Sequence, residues 1–245
     1  MKPQVLIICA HPDDAEIGCG GFILKYKEIF DFTIVIITNG CLGDNNPSND
    51  RDSIIMSRRN EATNAARYAG VTVIYEDYND GELSNTLELR RTIVKYIRTI
   101  KPYIVFTHKD NDYHSDHRYL SQAVQDSLVL IYCTHYMIDI PPIDYIPPVF
   151  FFWNKFNYPR QFNCDLLIDI TEVIEKKKEY LSFYASQFDE KQLNTEVFDK
   201  SKIIYALFST EKDSSLPRYG EAFELCQYIR DEEKEVFLQG LKKWI

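Results

Sequence analysis

Four short runs rich in β-branched and aromatic residues, VLIICA (5–10), FTIVIIT (32–38), VTVIYE (71–76) and YIVFTH (103–108), recur along the first half of the chain. Between and after them the apolar residues follow a helical period, which predicts helices over 17–29, 54–69, 87–100 and about 116–130. Strands and helices alternating at this spacing make βαβ units, whose crossovers force the strands parallel and put helices on both faces. The predicted fold class is therefore α/β, a Rossmann-like, mostly parallel sheet. Ligands of such sheets bind beyond the carboxyl ends of the strands. That rule brings three stretches together: residues 11–16 after the first strand, NGCLGD (39–44) after the second, and HKDNDYHSDH (108–117) after the fourth.

Beyond residue 130 the pattern weakens, and IPPIDYIPP (140–148) marks irregular chain. PVFFFW (148–153) and DLLIDI (165–170) read as further strands, with helices predicted over 171–187 and 219–230. There is no internal repeat and no linker composition, so the 245 residues are expected to form one domain, with the core motifs in about 4–130. Segments 45–52 and 141–159, the least readable, are expected to set substrate choice.

A formal net charge of −9 disfavours nucleic-acid binding, which needs a concentrated positive face. The one dense basic run, EKKKEYL (175–181), is flanked by glutamates and reads as a solvated helix face. No stretch approaches the roughly 18 apolar residues of a membrane span. Six cysteines without paired short spacing, and no signal-peptide pattern, predict reduced thiols and a cytoplasmic protein.

Four of the five histidines fall in two of the strand-end stretches. His114 and His117 stand at i and i+3 where a helix begins, and so on one side of it. Facing HPDD (11–14) across neighbouring strand ends, they would offer imidazole and carboxylate ligands to one divalent metal. Each motif alone also has a structural reading. Asp13 or Asp14 would serve as a helix N-cap, Pro12 would shape the helix entry, and Asp116 would cap the later helix. Arg58 and Arg59 are adjacent, so one at most points inward, and Arg58 stands three residues before Glu61, a spacing that also suits a surface pair. His108 and His135 read as packing residues, and Cys9 and Cys19 as small buried ones. GCGG (18–21) departs from a dinucleotide fingerprint, because the sixth position of G-x-G-x-x-G is Ile23; close packing of helix against sheet accounts for these glycines better.

AHPDDAEIGCGG (10–21), TNG (38–40), SRRNEATNAARYAGV (57–71) and NDYHSDHR (111–118) together closely resemble the LmbE-like, PIG-L-type family of metal-dependent deacetylases acting on N-acetylglucosamine derivatives. The resemblance covers about 4–120, with weaker agreement at SQF (186–188) and RYGEAFEL (218–225). It implies zinc, or another divalent metal, held by His11, Asp14 and His117, with Asp13 as general base. It further implies a protonated His114 as electrophile or acid, Asp116 as the group orienting it, Arg58 as a substrate or active-site anchor, and Tyr219 as a sugar contact. The implied reaction removes the N-acetyl group of an amino sugar or its conjugate by attack of water activated on the metal. Two consecutive aspartates suit a division into base and ligand. One alternative is a noncatalytic sugar- or nucleotide-sugar-binding protein of the same fold, which would not need both Asp13 and His114. The other is a metal-dependent hydrolase of an ester or phosphoester, for which more metal-binding carboxylates or a richer basic pocket would be expected. The sugar's conjugate and the oligomeric state, homo-oligomer or not, stay open.

Overall fold

The computed structural model describes residues 2–44, 46–155, 161–210, 218–226 and 239–241. The four predicted strands form as β1 (Gln4–Cys9), β2 (Asp31–Thr38), β3 (Thr72–Tyr78) and β4 (Ile104–Thr107), followed by β5 (Val149–Phe152), β6 (Leu166–Asp169) and β7 (Gly220–Leu225). They make one sheet in the order β3-β2-β1-β4-β5-β7-β6. The first five are parallel, while β7 runs antiparallel to both β5 and β6.

β1 is buried on both faces, and its side chains divide by parity as a pleated strand requires. Val5, Ile7 and Cys9 enter one core with α1 (Asp14–Tyr26), α2 (Arg51–Ala69) and α5 (Ile174–Leu181). Leu6, Ile8 and Ala10 enter the other with α3 (Leu87–Ile100) and α4 (Ser115–Ser127). Chain order reverses direction across the sheet between β1 and β4, so the crevice beyond their carboxyl ends is the switch point where α/β sheets bind ligands. His11 and His108 stand at its two lips.

The glycines of GCGG do pack helix against sheet. A Cβ on Gly18 would lie 2.7 Å from the Phe152 ring, and one on Gly21 would lie 2.6 Å from Ile170. α1 also breaks its helical geometry at Cys19, where φ is −144°. The backbone N–H groups of Gly21 and Phe22 then donate to the Glu221 carboxylate at 2.7 Å each. Lys177 Nζ completes the arrangement, 2.7 Å from Glu221 and 3.1 Å from the Ile17 carbonyl.

This pair corrects two expectations. The predicted helix over 219–230 is a strand over Gly220–Leu225, while 227–230 lie outside the described residues. Glu, Ala and Leu favour helices locally, but burial of Glu221 and Glu224 beside lysines from distant segments overrides that propensity. The basic run 175–181 is likewise not wholly solvated, since Lys177 is 2% exposed. The helix predicted over 171–187 is a 3₁₀ turn (Thr171–Val173) followed by the shorter α5. Sequence reasoning missed α6 (Glu190–Asn194), a π-helical turn (Thr195–Asp199) and α7 (Lys200–Phe208). All six cysteines are free, and among the described residues no helix is long and apolar enough to cross a membrane.

Candidate active site

The chain leaving β1 turns sharply at HPDD. The His11 N–H donates to its own turn's Asp14 Oδ2 at 2.7 Å, and the Ala10 carbonyl accepts from Thr38 N and Oγ1 at 2.8 Å each. From this turn the His11 ring reaches across to α4. His11 Nδ1 lies 3.1 Å from His117 Nε2 and 3.3 Å from Asp14 Oδ2, and His117 Nε2 lies 3.3 Å from Asp14 Oδ1. A tetrahedral ion with bonds of about 2.0–2.2 Å separates its ligands by about 3.3–3.5 Å. His11 Nδ1 and His117 Nε2 stand near that separation, and the Asp14 carboxylate reaches each of them at 3.3 Å through a different oxygen.

Carboxylates surround the imidazoles from behind. Asp80 Oδ1 and Asp116 Oδ2 lie 3.0 and 3.2 Å from His11 Nε2, and Asp112 Oδ1 lies 3.2 Å from His117 Nδ1. Burial alone would lower the His117 pKa, yet Asp14 and Asp112 raise it to about 9. Burial would raise that of Asp14, yet the His117 charge and the His108 imidazole hold it well below the usual carboxylate range. Both shifts share one contact, the pairing of the Asp14 carboxylate with the His117 imidazole.

The family model for PIG-L, described as GlcNAc-PI de-N-acetylase, matches residues 6–128, which hold most of β1, all of β2 to β4 and all of these donors. This chain belongs to the PIG-L family of de-N-acetylases. A diacetylchitobiose deacetylase of Thermococcus kodakarensis is 28% identical over 197 residues, covering 76% of this chain and 71% of its own. The N,N'-diacetylchitobiose deacetylase of Pyrococcus horikoshii superposes with a TM-score of 0.79 at 24% identity, over 91% of this chain and 84% of that one. A 4-carboxy-2-hydroxymuconate hydratase of Pseudomonas putida has the same fold, with a TM-score of 0.76 at 21% identity over 94% of this chain and 98% of that one. Overall shape thus does not by itself assign the reaction.

In this PIG-L protein, His114 is the N-cap of α4. Its Nδ1 accepts the Asp116 N–H at 3.2 Å, which leaves the ring proton on Nε2, and the ring meets His11 edge-on at 4.5 Å. Burial, with His11 and His117 nearby, lowers the His114 pKa. Both the cap bond and the lowered pKa favour the neutral ring over the expected protonated one. The Asp116 carboxylate does not orient His114 as the resemblance implies. It accepts from the N–H groups of Gly81 at 2.8 Å and Leu83 at 3.2 Å and faces His11.

Asp13 occupies the N-cap position of α1 but makes no side-chain cap bond, and its φ of 103° is in the left-handed region. Its carboxylate turns instead to Arg58, with Nη2 3.0 Å from Oδ2. Burial raises the Asp13 pKa to about 6, against the lowering effect of Arg58. Arg58 points inward and is 3% exposed, donating also to the Pro12 carbonyl and, from Nη1, to Glu61 at 3.4 Å. The inward and Glu61-paired readings hold together, while Arg59 pairs with Asp77 at the surface.

These groups open onto a cavity of about 900 Å³. Its opposite wall comes from Trp153 after β5 and from Glu196, Lys200 and Ile203 of the C-terminal helices. Tyr219 does not line it; the ring packs against Phe198 and the N–H bonds Thr171 Oγ1 at 3.0 Å. Of the segments expected to set substrate choice, the described residues of 45–52 do not line it, nor do 141–151, where Ile143 belongs to the core, but Phe152, Trp153, Asn154 and Lys155 do, while 156–159 lie outside the described residues. His108, expected to be packing alone, lines the cavity. It stacks on His117 at 3.8 Å and accepts the Ala10 N–H through Nε2, with burial lowering its pKa to about 4. Sequence reasoning missed Asp80 and Asp112, although both were accessible to it. Asp80 follows β3 at its carboxyl end, and Asp112 lies within the quoted NDYHSDHR.

Proposed function

We propose that this chain is a zinc-dependent hydrolase that removes the N-acetyl group from an N-acetylglucosamine-type sugar or its conjugate. The observation that carries the reading is the mutual spacing of His11 Nδ1, the Asp14 carboxylate and His117 Nε2, 3.1–3.3 Å. Two nitrogens and one carboxylate suit zinc, and the carboxylates behind each imidazole are the partners that fix ligand tautomers. The chemistry supplied by a divalent ion there is that of a Lewis acid, which acidifies water and polarises a carbonyl.

The remaining work falls to the chain. Asp13, with its pKa raised to about 6, is mostly ionised at neutral pH yet basic enough to accept a proton from the attacking water. His114, with Nδ1 engaged by the Asp116 N–H, presents Nε2–H to negative charge developing on the acyl oxygen. The protonated base returns its proton to the leaving amine, releasing acetate. Similarity to the two archaeal diacetylchitobiose deacetylases supports an amino-sugar substrate.

The test is acetate release from N-acetylglucosamine and N,N'-diacetylchitobiose, with protein stripped by chelator and reloaded with zinc. Zinc-restored release is expected. No release from either sugar by the zinc-loaded protein would overturn this reading.

A further inference from the structure

Ser186 lies beyond the family-matched residues 6–128, in the chain that follows α5, yet it meets two side chains of the active site: its hydroxyl donates to Glu61 and accepts from Arg58 Nη1 at 3.4 Å. Glu61 Oε1 accepts the Ser186 N–H at 2.8 Å, and Oε2 accepts the Ser186 hydroxyl at 2.7 Å and Arg58 Nη1 at 3.4 Å. Glu61 and Arg58 are one turn apart on α2, and the Tyr184 ring lies 5.6 Å from the guanidinium. On its other side Arg58 Nη2 grips both the Pro12 carbonyl and the Asp13 carboxylate.

The guanidinium is a rigid plane, so fixing Nη1 fixes the direction of Nη2. The grip spans the Pro12–Asp13 bend, where a non-glycine residue holds a φ of 103°. Such a conformation persists only where surrounding contacts over-determine it. Arg58 Nε is buried without a hydrogen-bond partner, so the two Nη groups alone carry the fixation by hydrogen bonds. Gln187 strengthens the outer anchor, donating to the Gly43 carbonyl at 2.6 Å and to Ser186 Oγ at 3.0 Å.

We infer that Glu61, held by Ser186, is a positioning residue that aims Arg58 so that Arg58 keeps the Asp13 carboxylate in its working place. The inference rests on the proposed role of Asp13. It gives the segment after α5 a part in the chemistry besides walling the cavity.

The test combines kinetics, metal content, melting temperature and a crystal structure of Glu61→Gln. The variant keeps the side chain's size but loses the charge and one acceptor that hold the guanidinium. A displacement near 1 Å at a reacting group lowers rates by up to about a hundredfold, so kcat is expected to fall roughly tenfold to hundredfold, with KM within about twofold and zinc content unchanged. Ser186→Ala, which removes the hydroxyl's bonds to Glu61, Arg58 and Gln187 but keeps the backbone N–H bond to Glu61, is expected to lower kcat in the same direction by less, and it carries the test if Glu61→Gln does not fold. In the crystal, Arg58 Nη2 should leave the Pro12 carbonyl and Asp13 should shift. An unchanged kcat with a lowered melting temperature would overturn the inference in favour of a structural tie, and a rise in KM alone would overturn it in favour of substrate binding. Arg58 and Asp13 unmoved in the crystal would overturn it whatever the substrate proves to be. Failure of the wild-type protein to release acetate would instead overturn the functional reading, and the crystal would still decide this one.

Discussion

Replacing Asp13 with asparagine should disable the enzyme while making its metal-free form more stable. Burial raises the Asp13 pKa from 3.8 to about 6 in the folded protein, so the fold disfavours the ionised form. That value already contains the attraction of Arg58, which opposes the shift. At 1.36 kcal/mol for each tenfold, the difference is about 3 kcal/mol of stability, present below pH 4 and lost as pH rises through about 6. Asparagine carries no charge to bury, tolerates a positive φ, and leaves Arg58 paired with Glu61. The chelated variant should therefore melt higher at pH 7, by as much as about 6–12 °C at about 2–4 °C per kcal/mol for a chain of this size. It should also lack the wild type's decline between pH 4 and 6. Loss of the base should lower kcat about 10²- to 10⁴-fold in the zinc-loaded enzyme, with little change in KM. Scanning calorimetry of chelated protein across pH, beside acetate-release kinetics, reads both effects. Near-normal turnover would refute Asp13 as base, and a melting point several degrees lower would refute the electrostatic argument. A helix-capping role predicts neither effect, and the absent side-chain cap bond already argues against it.

Asp14→Asn and His117→Ala should each lower zinc content measured by elemental analysis, because each removes one member of the 3.1–3.3 Å cluster. His114→Ala should keep its zinc but lose about 10²- to 10³-fold in kcat for want of an oxyanion donor, and about 0.5–2 kcal/mol in chemical denaturation through loss of the α4 cap. Zinc loss equal to that of His117→Ala would show that His114 is a ligand. Arg98, 1% exposed, donates to six backbone carbonyls between Leu130 and Ile140 at 2.6–3.2 Å, so Arg98→Ala should destabilise the fold by about 3–5 kcal/mol in urea titration.

The βαβ half of the fold was legible because its information is local: each strand is a short run rich in β-branched and aromatic residues, and helix-forming segments alternate with them. The antiparallel end was not. In β7 two residues of the predicted helix, Glu221 and Glu224, are buried beside Lys177, 44 residues away, and Lys109, 115 residues away. No window of sequence contains both members of either pair. The same limit divides the site. His11, Asp14 and His117 were readable as a group because two compact motifs hold them. Of the groups behind them, Asp80 comes from another strand end, whereas Asp112 and Asp116 share the motif of His117, and the Asp116 carboxylate does not face His114 as the resemblance implies. The cap explains why: His114 Nδ1 takes the Asp116 backbone N–H, which leaves the carboxylate to Gly81, Leu83 and His11.

A physical reason for two consecutive aspartates at the end of β1 lies in the turn itself. The His11 N–H holds Asp14 Oδ2 at 2.7 Å, which closes the chain on itself within four residues and commits the Asp14 carboxylate to the histidine cluster. A turn that tight leaves Asp13 at a φ of 103°, and the two neighbouring carboxylates diverge, one to His117 and one to Arg58. Had Asp13 kept an ordinary N-cap conformation, its side chain would have bonded the first turn of α1. The left-handed residue thus turns a sequence that looks like redundant capping into two carboxylates with separate surroundings, one pushed below its usual range by the imidazoles and one raised to about 6 by burial. Environments that push a pair of like groups apart are what allow them to take different parts in one reaction.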